Sequence, residues 1–248
     1  PHPRRQTPHP RPMKPIGRKA YGSIPHLPNS KLGPRDYHIH EGQADILTKK
    51  TRDRHDLVLV QEKLDGSCCA IANVDGNLIP ITRAGHAATT SKYEQHHIFA
   101  HWVRENTERF AFLQPGQRVV GEWLAQAHSV RYQVDEESVF VAFDLMTAAK
   151  RAPYDQFITT VSDNLHTAPL LHKGAALPIQ DALELLGENG RHRSLDPAEG
   201  VIYRCERKGE SEFLAKFVRD SFVPGRLLPE ISKGEAVWNW RPRALATA

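Results

Sequence analysis

Lys63-Leu64-Asp65-Gly66-Ser67 is the stretch of this sequence best suited to covalent chemistry. It follows Leu57-Val58-Leu59-Val60-Gln61-Glu62, an apolar run that reads as a buried strand, so a sheet holds the lysine while its amine projects from a turn. An ordinary lysine, with a pKa of about 10.4, is almost wholly protonated at neutral pH and becomes a nucleophile only when burial or cationic neighbours depress it. A Lys-x-Asp-Gly pattern arises by chance in about one chain in twenty of this length, so companions must decide between a nucleophile and a surface turn. The histidines offer less. His97 and His101 have the four-residue spacing of helical zinc ligands, but Ile98 stands where a zinc-protease helix carries glutamate, so no zinc site is expected. His38 and His40 read as structural.

The elements that must position this lysine follow from hydrophobic spacing. Residues 57–62 form the buried strand, and 68–74 and 78–82 form two strands joined by the tight turn Asp75-Gly76-Asn77, with Lys63–Ser67 falling between strands. Tyr93, Ile98, Trp102 and Val103 give residues 92–106 one apolar helical side. Strands are expected at 118–123 and 138–146, helices at 154–166 and 179–187, and a final strand pair at 200–205 and 213–218 turning at Arg207-Lys208-Gly209-Glu210. Residues 21–54 mix Pro, Gly and His and read as loops and short elements. After Val218, Pro224, Pro229 and Pro242 predict a loosely packed coda with room for one short helix. Most neighbouring strands are joined by short turns, so the class is α+β with antiparallel sheets.

At 248 residues the chain can bury one substantial core. No apolar run approaches the roughly 20 residues needed to cross a bilayer, and the N-terminus lacks a secretory apolar core. Cys68, Cys69 and Cys205 are too few for a disulfide framework and lack zinc-ligand spacing, which fits a reducing cytoplasm. The formal charge is +4, but Arg4, Arg5, Arg11, Lys14, Arg18 and Lys19 put +6 into residues 1–19, leaving −2 for the rest. Residues 1–20 are therefore expected to be a disordered Pro/His/Arg-rich tail, and any nucleic-acid surface on the body must come from local clustering.

The companions of Lys63 come as an ordered series. Lys63 to Ser67 is followed by Thr82-Arg83-Ala84-Gly85, Gly121-Glu122-Trp123, Val141-Ala142-Phe143-Asp144, Glu199-Gly200-Val201-Ile202-Tyr203-Arg204 and Leu214-Ala215-Lys216-Phe217. This series, spanning residues 63–217, resembles the covalent nucleotidyltransferases, the superfamily of ATP-dependent DNA ligases, RNA ligases and mRNA capping enzymes. Glu62, the Phe143-Asp144 pair and the upstream Ile24-Pro25-His26-Leu27-Pro28 look most like the RNA-ligase-2-like branch.

The resemblance implies roles. Lys63 would attack the α-phosphorus of ATP to give a lysyl–AMP; Lys216 would contact the same phosphate and help depress the Lys63 pKa. Glu62, Arg83, Glu122 and Phe143 would join them in holding ATP, with Glu122 accepting from a ribose hydroxyl, Phe143 stacking on adenine and Arg83 gripping ribose or an RNA 5′-phosphate. Glu199, with Asp65 and Asp144, would hold magnesium or manganese directly or through water, beside the catalytic Lys63 and Lys216.

Three departures mark this chain. Cys68 stands where this branch usually has asparagine, and Val218 where motif five usually has a second lysine, while Arg219 should point to the opposite face. Only 30 residues follow Val218, too few for an oligonucleotide-fold domain. The expected layout is a tail over 1–20, a nucleotidyltransferase domain over 21–223 and a short extension over 224–248. The expected function is an ATP-dependent RNA ligase, monomeric and cytoplasmic, that joins 5′-phosphate to 3′-hydroxyl ends. The rivals are a minimal DNA ligase, another nucleotidyltransferase, or a non-catalytic RNA- or nucleotide-binding protein on a decayed ligase scaffold.

Overall fold

The apolar run before Lys63 becomes the spine of the molecule. In the computed structural model, which describes residues 14–243, the first helix is α1 (Glu41–Thr48), followed by β1 (Asp56–Lys63), β2 (Ser67–Val74) and β3 (Asn77–Thr82). Helix α2 (Glu94–Glu105) precedes β4 (Gln117–Trp123), β5 (Phe140–Thr147) and β6 (Lys150–Arg151). Then come α3 (Tyr154–Val161), β7 (His166–Thr167), β8 (Leu170–Gly174), α4 (Ile179–Leu186), the pair β9 (Gly200–Arg207) and β10 (Glu210–Val218), and α5 (Pro229–Ser232).

The strands form two sheets. One is antiparallel in the order β10-β9-β1-β8; the other runs β3-β2-β4-β5-β6, with the short β7 parallel to β5. Both expected hairpins close through two residues of positive φ, Asp75-Gly76 between β2 and β3 and Lys208-Gly209 between β9 and β10. Such turns match the right-handed twist of the strands they join. Each sheet buries one face in its own core. Val58, Val60, Val201, Tyr203, Ala215 and Phe217 pack toward α1 and α4, while Phe99, Trp102, Trp123 and Phe140 build an aromatic core beneath α2. The remaining faces look across a cleft at each other.

Four expectations change. Lys63 is the last residue of β1, not a turn residue, so the sheet itself fixes its backbone. The third helix stops at Val161 rather than 166, where the chain turns into β7. The tail lies partly outside the described residues, but its end is folded: Ala20 is buried, gives its N–H to the Arg83 carbonyl at 3.0 Å and accepts from Arg118 Nε at 2.8 Å. The coda contains α5 but is pinned, not loose. Its Asn239 accepts from the Tyr132 N–H at 2.9 Å and donates to the Leu124 carbonyl at 2.7 Å, and Trp240 meets Trp123 edge-on. Proline removes donors without preventing such side-chain anchoring. Among the described residues, no helix is long and apolar enough to cross a membrane.

Candidate active site

Sheet register assembles the site. Lys63 is paired with Gly200 on β9, and Gly200 with Val218 on β10. A side chain at Gly200 would collide with the Phe217 carbonyl, so glycine is what lets β10 close on β9 here. Glu199, one residue earlier, then meets Lys63: Nζ donates to Oε2 at 2.6 Å. Strand alternation sends Gln61, Lys63, Ile202, Arg204, Leu214 and Lys216 to the cleft and Val60, Val201 and Ala215 to the opposite core.

The loop after Lys63 is locked by its own polar atoms. Asp65 Oδ2 accepts the N–H groups of Ser129 and Val130 at 2.6 and 2.9 Å, and the Asp65 N–H donates to the Tyr132 hydroxyl at 3.0 Å. The Gly66 N–H donates to Glu122 Oε1 at 3.0 Å, and a Cβ on Gly66 would lie 2.6 Å from the Trp123 carbonyl. The Asp-Gly pair is thus explained by geometry: the aspartate caps a neighbouring loop, and only glycine passes beneath β4.

Across the cleft, Cys68 and Glu122 are direct cross-strand partners. A register shift between Val120 and Gly121 against β5 marks a bulge, and both Phe143 and Asp144 line the cleft side of that strand. Between the sheets lies a cavity of about 580 Å³ lined by Lys63, Cys68, Glu122, Phe143, Ile202 and Lys216, within the ordinary size of a small-molecule site. Arg83 stands at its rim, donating to the Gly22 carbonyl and Ser23 Oγ at 3.1 and 3.2 Å.

The electrostatics correct one expectation. Burial lowers the Lys63 pKa, but Glu199, Glu122 and Asp65 outweigh it and the net direction is upward. The repulsion between the two lysines falls on Lys216, which burial and then Lys63 push down. Burial also raises Glu122 to about 8, with Lys63 opposing and Glu199 and Asp65 adding to the rise.

Two assigned residues do other work. The Asp144 carboxylate is taken up by Tyr21, Arg151 and Arg204, with Tyr21 Oη at 2.5 Å and Arg151 Nε at 2.7 Å, so it neutralises a buried cation pair and is not available to a metal. Glu62 borders the cavity, but its carboxylate turns to the far face of β1, where it accepts from the N–H groups of Arg191 and His192 at 2.7 and 3.1 Å and holds that loop. Asp65 keeps one carboxylate oxygen outside these bonds. Among the described residues no three His, Cys, Asp or Glu side chains form a preformed metal cage. As expected, Arg219 turns away from the cleft, donating to the carbonyls of Gly187 and Glu188. Val218 is buried with Leu64, Val130 and Tyr132.

Sequence reading missed Tyr21 and Asp36, whose partners lie 123 and 180 residues away, and Arg151, which reaches back from the short β6 to Asp144 seven residues earlier. Arg204 carried a signal: two residues after Ile202, it had to share the cleft face of β9.

The sequence matches the RNA ligase family model over residues 56–218, and the chain belongs to that family. No curated protein matches it significantly. Among solved structures, a mutant Naegleria gruberi RNA ligase with ATP and Mn matches at 13% identity and TM-score 0.51, covering 91% of this chain and 64% of that one. Another, with AMP and Mn, matches at 14% and 0.50, covering 85% and 61%. An archaeal ATP-dependent RNA ligase matches at 17% and 0.46, covering 80% and 48%. The chain shares the fold of the Naegleria ligases and spans between about half and two thirds of the length of these three proteins.

Proposed function

We propose that this chain is the catalytic core of an ATP-dependent RNA ligase that joins a 5′-phosphate to a 3′-hydroxyl through an adenylate carried on Lys63. The observation that carries the reading is the Lys63–Glu199 pair at 2.6 Å, set in a cavity whose walls hold Lys216, Glu122 and Phe143. In the first step, Lys63 Nζ, having lost its proton, attacks the α-phosphorus of ATP; an N–P bond forms and pyrophosphate leaves. In the second, a 5′-phosphate oxygen attacks that phosphorus, the N–P bond breaks and Lys63 regains a proton. In the third, a 3′-hydroxyl attacks the activated 5′-phosphorus and AMP departs.

The residues divide the labour by chemistry. Lys216 offers a cation to the α-phosphate, Phe143 a flat face to adenine, and Glu122 an oxygen to a ribose hydroxyl. Magnesium or manganese is commonly bound by one or two carboxylates plus substrate phosphates, and Glu199 with the spare oxygen of Asp65 fits that donor set without a preformed cage. The ion, when bound, supplies positive charge to the phosphates and to Glu199.

Incubation with labelled ATP or GTP, then nick sealing on RNA and DNA duplexes, tests the reading. ATP-dependent labelling with RNA joining is expected; preference for GTP, or sealing of DNA alone, contradicts it.

A further inference from the structure

The carboxylate that meets Lys216 comes from outside the catalytic strands. Asp36 Oδ1 lies 3.3 Å from Lys216 Nζ. Its other oxygen accepts the Gly33 N–H at 2.9 Å and lies 3.1 Å from Nε2 of the buried His26. The second ring nitrogen of His26 is 2.6 Å from Ser30 Oγ, which accepts the Val218 N–H at 2.9 Å. The backbone joins in. The Lys216 N–H donates to Pro25, Leu27 donates back to Lys216, and Lys31 donates to Val218, at 2.9, 2.8 and 3.1 Å. Residues 25–31 thus lie along β10 like an added strand, and a ring of contacts runs from Lys216 through Asp36, His26 and Ser30 back to β10.

Protecting a sheet edge would explain the backbone bonds alone. It does not explain a buried histidine braced by a serine, or an aspartate turned onto a cavity lysine. His26 pairs Nδ1 with Ser30 Oγ, while its buried Nε2 sits 3.1 Å from Asp36 Oδ2 without hydrogen-bond geometry, and burial holds its pKa below the ordinary value.

We propose that Asp36 is a positioning residue for Lys216: braced by His26 and Gly33, it fixes the ammonium at the cavity against repulsion from Lys63 until the α-phosphate of ATP takes over. This inference rests on the ligase reading for its role in the reaction. The groups facing Lys216 are Lys63 and Glu199 from the β1–β9 side, His26 from the added strand and Asp36 from the turn that follows it. Burial and Lys63 push its pKa down, whereas Asp36 and Glu199 push it up.

The test is competitive labelling of amines with an acylating reagent across about pH 7–11, read at Lys216 by mass spectrometry, beside the pH profile of self-adenylation. Asp36→Asn should lower the Lys216 midpoint by about one unit, roughly tenfold more free amine at a given pH, and move the alkaline limb of adenylation the same way. Asp36→Glu should restore most of both. His26→Asn, which loosens the brace without removing the charge, gives a smaller shift in the same direction and serves if Asp36→Asn folds poorly. An unchanged Lys216 midpoint overturns the coupling. A shifted midpoint with an unchanged adenylation profile overturns the positioning role. A wild-type protein that forms no adduct overturns the ligase reading instead, while the labelling still reads the Asp36–Lys216 pair.

Discussion

Lys63 and Glu199 are bound by one sheet register: the lysine ends β1 opposite Gly200, and the carboxylate immediately before that glycine accepts from Nζ at 2.6 Å. The proposed nucleophile therefore rests as a masked ammonium. Burial alone would favour the free amine, but Glu199, Glu122 and Asp65 reverse the direction. Whatever engages the Glu199 charge unmasks Lys63.

Glu199→Gln should separate masking from catalysis. With the main counter-charge gone, burial dominates and the Lys63 titration midpoint falls, by about one unit or more. Adenylation should nevertheless drop at least about tenfold, because the carboxylate offered to the metal is lost. Amine labelling and adenylation rates check the two arms; a lowered midpoint with faster adenylation would show that Glu199 only restrains the lysine.

Glu122 carries a pH signature. Its folded pKa, raised to about 8 by burial, stands above the ordinary carboxyl value of 4.5, so between those values the folded state binds more protons than the unfolded one. Stability contributed through this group must then fall as pH rises across that window. Glu122→Gln removes the dependence and should gain on the order of 2 kcal/mol relative to wild type at about pH 8.5 compared with pH 5. Urea unfolding at the two pH values tests this, and an identical offset at both contradicts it.

The C-terminal coda should matter to the loop that follows Lys63. Asn239 fixes Tyr132 and Leu124, Tyr132 accepts from the Asp65 N–H, and Ser129 accepts from the Gly225 N–H while its own N–H meets Asp65. Asn239→Ala leaves a buried donor and acceptor unpaired, at about 1–3 kcal/mol. Removal of residues 224–248 should lower the adenylation rate more than it lowers ATP affinity. Equal rates for truncated and full chains would dissociate the coda from the site.

The two parts of the N-terminal stretch should separate. Deleting residues 1–13 removes three arginines and should weaken RNA binding most at low salt, leaving adenylation intact. Deleting 1–20 also removes the backbone that braces Arg83 and Arg118 and should impair adenylation. Binding and adenylation assays on the two truncations, with equal adenylation in both, would remove that stretch from the fold.

What was legible in the sequence was local. Lys63, Glu122, Phe143 and Lys216 sit in short motifs on strongly periodic strands, and alternation alone carries Lys63 and Lys216 to one face. Asp144 was misread because two of its three partners, Tyr21 and Arg204, lie 123 and 60 residues away, and because a bulge at Phe143, opposite Gly121, re-aims its strand. Glu62 shows how far alternation reaches: beside Lys63 in one strand, its carboxylate faces the other way. Helix α1 escaped notice because only Ala44 and Leu47 are buried, too few to impose a period. The Asp36–Lys216 contact spans 180 residues and has no local signature.

The most direct test of the central claim is intact mass measurement after incubation with ATP and magnesium or manganese, followed by peptide mapping. The account predicts a gain of one AMP, located on Lys63 and absent from Lys63→Ala, while folded Lys63→Ala still joins a pre-adenylated 5′ end to a 3′-hydroxyl. An adduct on another lysine, or no adduct with either metal, contradicts it.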